Sequence, residues 1–216
     1  MIKAHLAGKQ HGVRVITGST MTLIGDGAPP VTERPADHPH RIVLFAQNET
    51  GYANLCELIC KSRLSHPKGE AGLDWQSIAE RSEGLSALVP YPDELHRVAP
   101  LAEAFPQRFY VGAIRAFCAG DEDRLHRART LSLALNAPLL AHTDAHTSTR
   151  AQQPLQDVVT AIRHRTTVAA AGRKLFPNGE RTLKSMPSCW RCFPIFPKRS
   201  TAAPSSPAAA PSASTS

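Results

Sequence analysis

Apolar residues along this chain fall into two recurring patterns separated by short polar breaks. Largely apolar or β-branched runs at 13–17, 42–46, 85–89, 109–114 and 139–141 have the length of strands, and the run at 42–46 is continuous, as a buried strand requires. Between them lie segments with helical spacing. Residues 2–11 form a helical opening that Gly12 stops. After the run at 42–46, with Thr50 as N-cap, the residues Tyr52, Leu55, Cys56 and Ile59 share one helix face. Helices are also predicted over 93–105 and over 122–136, where acidic residues suit a helix N-terminus. A further helix opens at Pro154 and carries Leu155, Val158, Val159 and Ile162 at i, i+3, i+4 and i+7. Strand and helix alternate, so the class is α/β with a largely parallel sheet or barrel.

Two segments break the pattern. Residues 26–40 are polar and proline-bearing and read as a loop, with His38 and His40 as solvated loop residues. Residues 200–216 contain only Ser, Thr, Ala and Pro, a composition that cannot bury a core and is expected to be disordered.

The chain has 216 residues, 42% of them apolar, which suits one domain and excludes a multidomain enzyme. No run approaches the roughly 20 apolar residues of a membrane helix. Residues 1–10 lack the apolar core of a secretory signal, so the expected location is cytoplasmic. Five cysteines, sparsely spaced, suit that compartment; Cys56 and Cys60 read as core residues. The net charge of +7 first suggests nucleic acid. Four of the cations (Lys184, Arg191, Lys198 and Arg199) lie beyond residue 183, where no acid occurs, so residues 1–183 carry only +3. No basic stripe with interleaved aromatics marks a nucleic-acid surface.

One constellation has chemical content. His142, Asp144 and His146 alternate beyond the run at 139–141, and an extended chain would aim all three to one side. The C-terminal end of a strand is the usual ligand-binding end of an α/β fold. Imidazole with carboxylate suits Zn²⁺, Mn²⁺ or Fe²⁺, ions that activate water for phosphoester hydrolysis. The spacing alone does not distinguish a metal site from a loop with histidines. The Cys-x-x-Cys at Cys189 and Cys192 lacks a second pair and closes no zinc site.

Several segments resemble the PHP domain of bacterial DNA polymerase III α chains, the error-prone branch above all. They are Gln10-His11-Gly12-Val13-Arg14-Val15-Ile16-Thr17-Gly18, then Phe45-Ala46-Gln47-Asn48-Glu49-Thr50-Gly51-Tyr52-Ala53-Asn54-Leu55, then Lys68-Gly69-Glu70 with Leu73-Asp74-Trp75 and Glu83-Gly84-Leu85. The most specific are Pro154-Leu155-Gln156-Asp157-Val158-Val159-Thr160-Ala161-Ile162-Arg163 and Leu175-Phe176-Pro177-Asn178-Gly179-Glu180-Arg181. The resemblance covers about residues 1–185. It implies a partial PHP-type distorted β/α barrel with metal ligands at its mouth, and it puts Asp144 and His146 on the family's late D-x-H ligand pair. His142 is not a family ligand position.

Departures from the family set further expectations. The family's opening H-x-H strand and T-D-H segment are absent, and the chain is read as beginning after them. The family's glutamate ligand falls near Thr20, and Arg115-Ala116-Phe117 offers no ligand after the run at 109–114. The metal (Zn, Mn or Fe) is therefore expected not to be retained. Residues 1–185 are read as a partial PHP domain. Residues 186–216 are read as a low-complexity tail in a shifted reading frame, because permitted codons from Met186 onward also encode a family-like amphipathic helix in a neighbouring frame. The resemblance implies part of an error-prone DNA polymerase, a nucleotidyltransferase of DNA replication and repair. DNA and replication proteins would be the partners of the whole polymerase. By itself the chain is expected to be inactive, since a palm with paired carboxylates and two metal ions does not fit its length. A free-standing metal-dependent phosphoesterase and a non-catalytic interaction module are the alternatives.

Overall fold

The computed structural model describes residues 2–24, 41–68, 70–91 and 95–193. The predicted loop at 26–40, with His38 and His40, and the tail at 200–216 lie outside the described residues. Five strands, β1 (Gly18–Thr22), β2 (Arg41–Ala46), β3 (Leu85–Val89), β4 (Phe109–Ile114) and β5 (Leu139–His142), form one sheet in chain order. Around it run α1 (Ile2–His11), α2 (Glu49–Leu64), α3 (Trp75–Glu80), α4 (Leu95–Ala104), α5 (Asp121–Ala134), α6 (Gln153–Arg163), α7 (Val168–Ala171) and α8 (Met186–Cys192). The class is α/β, as the alternation predicts. The parallel part is β3–β4–β5, whereas β1 pairs antiparallel with β2 and β2 with β3.

The core lies on one face of the sheet. Ile42, Leu44, Leu85, Ala87, Val89, Phe109 and Val111 point to it from the strands. Leu55 and Leu58 of α2, Ile78 of α3, Val98 and Leu101 of α4, and Leu131 of α5 close over them, with Phe105 just past α4. Burial of such side chains stabilises by roughly 1.5–3 kcal/mol each. Every residue of β3 is buried, Ser86 being its one polar member.

Two local predictions are corrected. Residues 13–17 form no strand; β1 begins at Gly18. Gly12 adopts φ +65° and ends α1, and Val13 N–H donates to Gly8 O at 2.8 Å. The β-branched run is thus folded back on the helix it follows, where Val15 packs on Gly8. In α2 the N-cap is Asn48, not Thr50; its Oδ1 accepts from Gly51 N–H at 2.8 Å. The buried face is Gly51, Leu55, Leu58 and Ser62, which leaves Tyr52, Ile59 and Cys60 exposed and Cys56 half-buried. Cys56 and Cys60 are therefore not core residues.

The cause of that rotation is a backbone contact. Gly51 packs directly on Gly84, which precedes β3 with φ +67°. Gln47 N–H donates to Gly84 O at 2.8 Å, and Asn54 Nδ2 donates to Glu83 O at 2.9 Å. The Asn-x-x-Gly-Tyr-x-Asn segment is thus a joint between the start of α2 and the entry to β3.

Residues 186–193 fold as α8 and the turn after it. Cys192 and Phe193 are buried against Ala113 and Leu125. Arg115 Nη1 donates to Cys192 O at 3.4 Å.

A Cβ at position 51 would overlap the Gly84 carbonyl. Gly51→Ala should therefore destabilise the fold by about 2–3 kcal/mol, the upper part of the range for overpacking. Urea denaturation monitored by circular dichroism measures this; a change of less than about 0.5 kcal/mol would show that the joint yields freely.

Candidate functional site

β5 delivers His142 to the C-terminal edge of the parallel strands, the edge at which β2 begins and β3 ends. His142 Nε2 lies 2.8 Å from Pro90 O, and its ring meets Tyr91 edge-on at 6.2 Å. Beyond it the chain does not stay extended: Asp144 adopts φ +42°, so the expected alternation of His142, Asp144 and His146 fails. His142 turns to the end of β3. Asp144 and His146 still come together, with His146 Nε2 at 3.5 Å from Asp144 Oδ2.

The carboxylate of Asp144 is the centre of the cluster. Tyr91 Oη donates to Asp144 Oδ2 at 2.5 Å, and Arg181 Nη1 donates to the same oxygen at 2.5 Å. Arg181 Nη1 also reaches Tyr91 Oη at 2.6 Å. Arg41, the first residue of β2, lies 3.9 Å from Oδ2 and places its guanidinium over the Tyr91 ring at 5.2 Å. Phe176 supports the opposite side: Arg181 stacks on it at 4.4 Å and His146 at 4.8 Å. Arg181 is held by its own backbone, since His146 N–H donates to Arg181 O at 2.8 Å and Thr147 bridges Thr182.

Burial by itself would raise the pKa of Asp144. The hydrogen bonds from His146 and Tyr91, and the charge of Arg181, outweigh it and hold the carboxyl well below the usual carboxylate range. For His142 burial dominates and depresses the pKa, against the opposing pull of the Pro90 carbonyl and of Asp144.

A divalent cation does not fit this set. His142 donates Nε2–H to the Pro90 carbonyl, so its lone pair is on Nδ1. Asp144 Oδ2 already receives two donors, and two guanidinium groups stand where a cation would have to approach. Thr20 sits exposed in the middle of β1 opposite Val43. Arg115 pairs with Glu122 at 3.0 Å. Among the described residues no group of three or more His, Cys, Asp or Glu is placed to hold a metal ion. Protein metal sites of these kinds need about three or four such donors.

The PHP domain family matches residues 1–130. The chain belongs to the PHP domain family. Similar curated proteins include the "Error-prone DNA polymerase" of Anaeromyxobacter dehalogenans, 37% identical over 212 residues, which covers 94% of this chain and 18% of that protein. Those of Pseudomonas aeruginosa and Pseudomonas syringae are 33% and 36% identical over 195 and 200 residues, covering 90% of this chain and 18% of theirs. The PHP chain thus spans less than a fifth of the length of these relatives.

Sequence reasoning missed Tyr91, Arg41 and Arg181 as site residues. Tyr91 follows β3 at the ligand-binding end of the sheet, a position that strand prediction alone could have flagged. Arg181 closes a segment recognised only for its resemblance, with nothing local to tie it to Asp144. Arg41 directly follows the polar segment 26–40.

The depressed pKa of Asp144 means that its contribution is fully present above the unfolded value of about 3.9 and is lost as pH falls toward the folded value. Depression of His142 adds a loss that begins as pH drops below about 6.5. Asp144→Asn should cost about 2–4 kcal/mol at neutral pH, somewhat less than for a fully buried pair, and should flatten the acid limb below about pH 4. Thermal melts of both proteins from pH 3 to 8 measure this; parallel profiles would show that Asp144 carries no native ion pair.

Proposed function

We propose that this chain is the PHP part of an error-prone DNA polymerase of the polymerase III α type, and that it is catalytically silent on its own. The carrying observation is the state of Asp144. The family-type acid at the mouth of the sheet is neutralised by Arg181 and Tyr91, and among the described residues His146 stands beside it as a further donor. Such a cluster supports structure: it ties the ends of β2, β3 and β5 to the segment around residue 181. Among the described residues it gathers no set of metal ligands that would activate a water. The whole polymerase would act on DNA with other replication proteins in the cytoplasm during replication and damage-tolerant repair. No helix among the described residues is long and apolar enough to cross a membrane.

The reading of residues 186–216 as a product of a shifted frame belongs to the same proposal. The gene's nucleotide sequence tests it, since a coding sequence that cannot yield the second helix would remove it. A non-catalytic interaction module is the second reading, favoured by the outward apolar face of α6.

Purified chain with Mn²⁺ and bis(p-nitrophenyl) phosphate should hydrolyse no faster than buffer, and primer–template with deoxynucleotides should not be extended. Asp144→Asn should leave both baselines unchanged. Mn²⁺-dependent hydrolysis that disappears in Asp144→Asn would establish the phosphoesterase alternative instead.

A further inference from the structure

Helix α6 is mounted with its polar side inward. Thr160 and Ala161 are buried, and Gln153 Nε2 bonds Asp157 Oδ1 at 2.8 Å and reaches Phe176 O at 3.4 Å. The apolar ridge of Leu155, Val158, Val159 and Ile162 faces away from the body, with Leu155 62% and Ile162 71% exposed. A surface helix normally buries such a stripe. Leu183, also exposed, joins Leu155 and Val159 along a groove of about 380 Å³ that His146 and Gln152 complete.

Basic residues end the ridge helix and follow it in the chain. Arg163, Arg165, Arg173 and Lys174 are exposed and make no ion pair among the described residues. Over residues 150–184 seven Lys and Arg face only two acids, Asp157 and Glu180. Both acids are already engaged, Asp157 by Gln153 and Glu180 by Arg150 and Lys184. A second copy of the chain would bring like charge against like. A nucleic acid would satisfy the cations but leave the ridge wet.

We propose that the outward face of α6 docks an amphipathic helix of a partner polypeptide, whose apolar ridge fills the Leu155–Val159–Leu183 groove and whose acidic flanks meet Arg163, Arg165, Arg173 and Lys174. This stands on the surface itself and does not depend on whether the chain is catalytically silent.

The test uses the full chain and two synthetic helical peptides with leucine at i, i+3, i+4 and i+7, one flanked by glutamate and the other by lysine. Fluorescence anisotropy should show the glutamate peptide binding at least about tenfold tighter, a difference of roughly 1.4 kcal/mol. Leu155→Glu with Ile162→Glu should weaken it by a similar factor while the thermal melt stays unchanged, because both side chains are exposed. Arg163→Glu with Arg173→Glu should erase the preference between peptides and retain the fold. Equal affinity for the two peptides, or no binding, overturns the proposal. So does self-association in sedimentation that the Leu155/Ile162 variant abolishes, which would give the face to a second copy. Binding to phosphatidylglycerol vesicles in preference to the glutamate peptide would give it to a membrane surface and overturn it as well.

Discussion

One carboxylate holds together the open end of this sheet. Asp144 receives Tyr91 from the end of β3 and Arg181 from a segment far along the chain, and it lies beside His146, while Arg41 from the start of β2 stands within Coulombic reach. Backbone hydrogen bonds join the segments around His146 and Arg181 there, and the carboxylate adds Tyr91 and Arg41 to that join. The anion offsets the like charges of the two guanidinium groups gathered around the Tyr91 phenol. The left-handed backbone of Asp144 belongs to the same arrangement, because an extended residue there would aim the carboxylate elsewhere.

The sequence made the interior strands legible because their signal is physical and local. The runs at 85–89 and 109–114 became β3 and β4 without a residue's shift, since strands in the middle of a covered sheet are mostly apolar. Failures came where a distant partner decides. The run at 13–17 has strand propensity, yet its backbone caps α1. The buried face of α2 is set by Gly84, which no spacing within α2 reveals. The candidate site was half legible in the same way. Asp144 and His146 could be picked from residue type and position after β5. Their neighbours, Tyr91, Arg41 and Arg181, are charged or polar residues whose meaning lies only in three-dimensional proximity.

Family membership and site chemistry separate in this chain. The PHP match and the polymerase relatives describe descent. At the mouth of the sheet arginine and tyrosine satisfy the Asp144 carboxylate. α6 shows the same separation on the surface. Its periodicity predicted a helix, and the apolar stripe faces away from the core, because amphipathicity reports a need for an apolar neighbour without naming which neighbour supplies it.

The contact between Gly51 and Gly84 constrains how this gene can drift. Every amino-acid replacement open to either codon adds at least one carbon at a place where two backbones already touch. Neither change can rescue the other, since the space is set by main chain and not by a side chain that could shrink. Most core positions can trade volume with a neighbour over successive mutations. This pair cannot, and so the join between α2 and β3 has no route of gradual repacking open to it.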